Sequence, residues 1–123
     1  MADLYASVDG NARHLAFAGW AGSRDGAGNG STQTSTRSNG MTLIYSTAGR
    51  GSPMYVVVRS FFYFDTSGIT GTVSSATFKI YGYASSSGSI IGVSASSAFG
   101  GDGGTALASG DFDSIDNFVT GSS

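Results

Sequence analysis

The chain has no cysteine and no glutamate, and only one lysine (Lys79), one proline (Pro53), one histidine (His14) and one tryptophan (Trp20) in 123 residues. Without cysteine there is neither a disulfide framework nor a thiolate metal centre. With His14 as the sole imidazole and no Gly-x-Ser-x-Gly elbow, no nucleophile has a visible base beside it. Charged residues make up 11% of the chain, against about 25% in typical globular domains. Five Arg and one Lys against eight Asp leave a net charge of −2. That balance lacks the clustered cations of a nucleic-acid footprint. No apolar run reaches the length of a membrane span. The opening MADLYASVDG has no basic stretch followed by an apolar one, so no signal peptide is read there and synthesis in a cytoplasm is expected.

Gly, Ser and Thr supply 53 residues, while Glu, Lys, Leu and Gln, the usual helix formers, are scarce. Helices are hard to build from that mixture. Such a composition also accompanies disorder, but fourteen Phe and Tyr lie in alternating runs and argue for a packed chain. Glycine loses more backbone entropy on folding than any other residue. Burial against neighbouring subunits would offset that loss, which points to an assembly.

A period of two dominates. Short strands are expected at Leu4–Val8, closed by Asp9-Gly10, and at Arg13–Phe17. Residues 18–30, AGWAGSRDGAGNG, read as loop. Asn39-Gly40 between STQTSTRS and MTLIYST predicts a hairpin of 31–38 with 41–47, because both turn positions of a tight hairpin need positive φ. The polar first strand suits an exposed edge. Residues 54–65 are apolar on both faces and read as a central strand. Further strands are expected at Ala76–Ala84 and Ile90–Ala95, with Phe62, Phe64, Ala76, Phe78 and Ile80 as core. Arg59 and Asp65 read as a structural ion pair or a turn cap. In GDFDSIDNFV, Asp111 as a cap with Phe112, Ile115 and Val119 predicts one short helix near the C-terminus. The fold class expected is all-β, an antiparallel β-sandwich or jelly-roll in a single domain over 1–123.

The chemistry-bearing residues have structural readings. Asp111 and Asp113 sit at a helix start, where acids favour the dipole. GAGNG (26–30) and GGDGG (100–104) lack the Lys-Ser/Thr and the strand-to-helix context of a phosphate loop, and read as loops. No cofactor is expected. Asp102 in GGDGG lacks the calcium repeat, and a structural Ca²⁺ among loop Asp and backbone carbonyls is the alternative. Asn29-Gly30-Ser31 fits a glycosylation sequon. The binding or interface candidates are aromatic: Trp20 in a loop, and Tyr81 and Tyr83 on the outward face of their strand.

Residues 59–69, RSFFYFDTSGI, followed by 73–81, VSSATFKIY, resemble the signature of the DNRLRE-type, disaggregatase-related sandwich domains: an arginine, a strand ending in Phe-Asp, a turn, then Val-x-Ser-Ala-Thr and an aliphatic-Tyr strand. The segment is also similar to phage and metagenomic virion-like proteins, as are, more loosely, Leu4-Tyr5, Trp20 to Arg24 and Ala106-Leu107-Ala108. The family's domains run longer, so the resemblance implies a sandwich that either lacks its last strands or is completed by a neighbouring subunit. It implies a non-enzymatic structural protein of a virion, a capsid decoration or a tail- or fibre-associated subunit. Its partners would be other virion proteins or copies of itself, with neither nucleic acid nor membrane. The alternative it implies is a carbohydrate-binding module on a cell-surface, filament or virion protein, with a surface glycan as partner.

Overall fold

The computed structural model describes residues 3–16, 19–34, 43–47, 54–79 and 94–115. Four strands form one antiparallel sheet: β1 (Val8–Ala16), β2 (Gly30–Thr34), β3 (Leu43–Thr47) and β4 (Met54–Tyr63), in the order β2-β1-β4-β3. One helix, α1 (Gly19–Asp25), lies between β1 and β2 in sequence. Two 3-10 turns, Ala98–Gly101 and Ser109–Asp113, follow, and an isolated bridge joins Ser96 to Ile115. The chain is thus mostly strand with one short α-helix. Among the described residues no second sheet faces the first.

β4 is central, as its two apolar faces require. The core lies on the face that carries Val57 and Phe61. Those two side chains pack with Ala12, Ala98, Phe99, Leu107 and Phe112, all of them buried. The expectation that Phe62 and Phe64 face the core is therefore corrected by one position. Phe62 and Phe64 lie on the second face and meet Phe78 there, at ring-centroid distances of 5.8 and 6.0 Å. The period of two was legible, but it cannot say which of two apolar faces receives the 94–115 segment.

β1 runs unbroken through Asp9-Gly10, where the sequence suggests two strands. Gly10 serves close approach instead of a turn. A Cβ there would stand 2.6 Å from the Thr32 carbonyl oxygen and 2.7 Å from Leu107 Cδ2. Leu107 is held at that spot by the edge strand β2. Its N–H donates to Gln33 Oε1 at 2.6 Å, and its carbonyl accepts from Ser31 Oγ at 3.3 Å. Gly10→Ala is expected to lower stability by about 1–3 kcal/mol, read as a fall in the urea midpoint. An unchanged midpoint would mean that Leu107 does not fill the notch.

The predicted hairpin is not formed within the chain. β2 pairs with β1, and β3 pairs with β4, so the two strands occupy opposite edges. The Asn39-Gly40 turn itself lies outside the described residues. β4, with its three consecutive valines, takes β3, the strand just before it in the chain, as one neighbour and β1 as the other, so pairing with β4 prevails over the Asn39-Gly40 turn signal. The polar strand is an edge, as expected. Residues 72–79 carry no strand pairing, so the described part of the predicted strand 76–84 is not in the sheet. Ser94 and Ala95, the described end of the strand predicted at 90–95, are likewise not in a strand.

α1 corrects the reading of 18–30 as loop. Tertiary contacts hold this seven-residue helix where propensity is poor. Ser23 is fully buried and its Oγ donates to the Tyr55 carbonyl at 3.4 Å. Arg59 Nη2 donates to the Arg24 carbonyl at 3.0 Å and so satisfies a terminal helix acceptor. Near the C-terminus the expected helix is a single 3-10 turn. Asp111 Oδ2 accepts from the Ala108 N–H at 2.9 Å, as an acid near a helix start should. Val119 lies outside the described residues.

Candidate functional site

Trp20 stands in the first turn of α1, 41% exposed. Its indole meets the Tyr55 ring of β4 edge-on, with centroids 6.2 Å apart and planes at 64°. The sequence marks Trp20 but not Tyr55, because only the docking of α1 onto β4 joins them. Outside this pair, Arg24 and Asp25 form an exposed ion pair at 2.6 Å. The hydrogen bond from Arg24 holds the Asp25 carboxyl below its ordinary range. Tyr81 and Tyr83 lie outside the described residues.

A second aromatic surface was not anticipated as one. Phe62, Phe64 and Phe78 form a cluster on the face away from the core. Phe78 remains 41% exposed, and Ile69 and Val73, on the same 65–79 segment, are 39% and 58% exposed. The N-terminal segment enters the sheet where β4 leaves it. The Ser7 N–H donates to the Tyr63 carbonyl at 2.9 Å, and the Asp65 N–H to Ser7 Oγ at 3.4 Å. Leu4 and Tyr5 are exposed on that segment. Asp65 then caps the turn, as read from the sequence: its Oδ1 accepts from the Ser67 N–H at 2.9 Å. Those Ser67 bonds keep its carboxyl below the usual range. Leu4 and Tyr5 lie on the segment that leads into β1, and Ile69, Val73 and Phe78 on the segment that leaves β4.

His14, Asp102, Asp111 and Asp113 each make a structural contact. His14 Nδ1 bonds the Ala27 carbonyl, and its ring lies 6.1 Å from that of Phe112. Asp111 caps a turn, while Asp113 pairs with Arg59 at 3.4 Å. Arg59 therefore makes a structural ion pair, with Asp113 rather than with Asp65. Asp102 Oδ1 accepts from the Gly104 N–H at 2.8 Å inside the GGDGG turn. In that turn Gly103, at φ +76°, passes under the Tyr63 ring so closely that a Cβ would come within 2.4 Å of it. Among the described residues no three His, Cys, Asp or Glu side chains are placed to hold a metal ion. Asn29, in the sequon, mimics a strand partner: its Oδ1 accepts from the Leu15 N–H at 3.1 Å, and its Nδ2 donates to the Leu15 carbonyl at 2.7 Å. A glycan on Nδ2 would compete with that second bond.

Asp9 stands apart. It is 8% exposed on the second face of β1, level with Thr34 of β2 and Phe62 of β4. Among the described residues its Oδ1 has no hydrogen-bond partner, nor has Ser60 Oγ on the same face. Burial pushes the Asp9 carboxyl above its ordinary range, because an unpaired anion is costly away from water. A raised native value means that this residue supports the fold fully below the unfolded-state pKa. The support is lost as pH rises through the native one. Asp9→Asn is therefore expected to raise stability at neutral pH by about 1 kcal/mol. The gain should vanish at acid pH, as read from urea midpoints across pH. A gain that does not change with pH would overturn the assignment.

Among the described residues the protein is mostly strand, with one antiparallel sheet, one short α-helix and aromatic side chains exposed on α1 and beside the end of β4. Searches of known protein families, curated proteins and solved structures find no match to this chain. Among the described residues no helix is long and apolar enough to cross a membrane.

Proposed function

We propose that this chain is a non-enzymatic structural subunit of a phage particle, a capsid decoration or a tail- or fibre-associated protein, acting through protein–protein contacts. The observation that carries the reading is the exposed apolar surface of Phe78, Ile69 and Val73, with Leu4 and Tyr5 on the segment beside the end of β4. A monomer gains nothing from leaving such a surface in water, and subunit contact is what removes it. The resemblance of 59–81 to virion-like proteins and the Gly, Ser and Thr richness support the same class. Light scattering on the purified full chain is expected to find oligomers whose fraction rises with concentration and falls in Phe78→Ser. A chain that stays monomeric up to millimolar concentration, and does not co-sediment with phage particles, would overturn the reading.

The Trp20–Tyr55 pair favours a second reading, a carbohydrate-binding module, because an exposed indole offers a stacking face to a sugar ring. Retention on polysaccharide affinity gels that is absent, or that is unchanged in Trp20→Ala, Tyr81→Ala and Tyr83→Ala, would dismiss it.

A further inference from the structure

β2 is an edge strand without a guard of its own. Its residues, GSTQT, include no charge and no proline, the devices by which edges ordinarily refuse further strands. It ends the order β2-β1-β4-β3, and among the described residues no strand pairs with its outer side. Ser31, Thr32 and Gln33 are all exposed. The strand is nevertheless held in place. On the core face Ser31 Oγ donates to the Leu107 carbonyl at 3.3 Å, and Gln33 Oε1 accepts from the Leu107 N–H at 2.6 Å. An extended backbone fixed in this way loses little freedom when a further strand joins it. On the other face β1 carries two charges with no ion-pair partner among the described residues, Arg13 and Asp9. They stand at the two ends of the β1–β2 ladder, Arg13 level with Gly30 and Asp9 level with Thr34. Arg13 is exposed, and its side chain runs across Gly30 toward the edge, so that a Cβ there would stand 2.8 Å from Nε.

We propose that two copies of this chain pair through β2, antiparallel and about a two-fold axis at Thr32, so that their sheets become one. The contact is isologous, the same strand serving on both sides, and strand addition at an open edge supplies backbone hydrogen bonds to both copies. The charges set the register. With Thr32 opposite Thr32 of the second copy, Gly30 lies opposite Thr34. One level then runs across the seam through Arg13 and Gly30 of one copy and Thr34 and Asp9 of the other. Each unpaired guanidinium is thereby brought toward an unpaired carboxylate, twice over by symmetry. The two β1 strands lie three strand spacings apart, about 14 Å. The Arg13 side chain already spans the first spacing, which leaves about 10 Å to the backbone of the facing Asp9. The attraction therefore acts within the Debye length of about 10 Å at 0.1 M salt. A register centred on Gly30 would instead set the two Arg13 side chains level with each other, and like charges repel. This rests on the reading of the chain as an assembling subunit, and names the partner, a second copy, and the edge through which the two meet.

The absence of native cysteine makes the seam testable. Thr32→Cys sets a thiol beside its own symmetry mate, at the separation of about 5 Å between directly opposed strand residues. A bifunctional thiol reagent shorter than about 10 Å is expected to give a covalent dimer linked at residue 32, in a yield that falls as salt is raised. Asn11→Cys is the control. It lies at the same level on β1, about 14 Å from its mate, and is expected not to link. In the full chain Thr32→Lys places like charges on the axis, as natural edges do. Its oligomer fraction by light scattering is expected to fall at least tenfold with the urea midpoint unchanged. No link at residue 32 in a chain that does form oligomers, equal linking at residue 11, or an unchanged oligomer fraction in Thr32→Lys would each overturn the pairing. All three leave the assembly reading standing on the surface around Phe78. A chain that forms no oligomer at all would fail both. Should Thr32→Lys not fold, the cysteine variants decide alone.

Discussion

Phe112→Ala should lower the stability of the fold by about 3–5 kcal/mol, the largest effect expected of any single substitution. Phe112 has no exposed surface. It is the point where the second 3-10 turn, the core face of the sheet and the loop after α1 converge. His14 of β1 lies against its ring, and the Arg59 guanidinium of β4 sits 3.8 Å above the ring centroid. Gly28 passes so near that a Cβ there would come within 2.5 Å of Phe112 Cβ. Backbone so close on one side and a guanidinium on the other leave little room for collapse, so the truncation opens a cavity. For a domain of this size total stability is about 5–15 kcal/mol, and urea slopes are about 1–3 kcal/mol per molar. The midpoint is then expected to fall by about 2 M. Phe112→Leu, which keeps most of the volume, should cost about 1.5 kcal/mol. Equal losses in the two variants would show that the site collapses freely and is not the packing centre.

Arg59→Met is the second, at about 3 kcal/mol. Arg59 projects from the core face of β4 and reaches two elements at once, the second 3-10 turn and α1. Its Nη1 bonds the Phe112 carbonyl and lies 3.4 Å from Asp113 Oδ1, and its Nη2 bonds the Arg24 carbonyl at 3.0 Å. Burial works against its charge, and the Asp113 carboxylate works for it. Since arginine stays protonated throughout the working pH range, the effect should be independent of pH between 5 and about 9. Methionine fills the volume but leaves two carbonyls without their donor and α1 without its end cap. Lysine keeps the charge but lacks the planar fork that serves two carbonyls together, so Arg59→Lys is expected to recover less than half of the loss. Asp113→Asn removes only a half-exposed partner and should cost well under about 1 kcal/mol. If Asp113→Asn costs as much as Arg59→Met, the ion pair, and not the bracing of the backbone, is what Arg59 contributes.

Several features were legible in the residues alone. The strand 54–65 announced itself by apolar residues on both faces, and it is the central strand because only a covered strand can carry both. The polar run from Ser31 was readable as an edge. Asp65 as a turn cap and Asp111 as a helix-start acid follow from side chains that bond backbone two or three residues away, which is information a local window contains. Arg59 was recognisable as structural, but not its partner, since Asp113 is distant in sequence.

Other features could not be read. α1 forms in AGWAGSRDG, a stretch whose propensities point to loop, because the β4 face at Tyr55 and the guanidinium of Arg59 supply what the helix lacks. Asp9-Gly10 looks like a turn and is the interior of a strand, because Leu107 needs the space a side chain would take. The second aromatic surface depends on where 65–79 folds back over Phe62, and the Trp20–Tyr55 pair on where α1 docks.

The sequence by itself determined the extended character of the chain, its polar edge and its central strand, because those follow from alternation along the backbone and from residues that bond their own neighbours. Which face of β4 became the core, and which strands became edges, was decided only by the tertiary structure. Both depend on the 94–115 segment covering Val57 and Phe61, and on β4 competing successfully with the Asn39-Gly40 turn for β3. Such choices are made by packing between residues far apart in the chain.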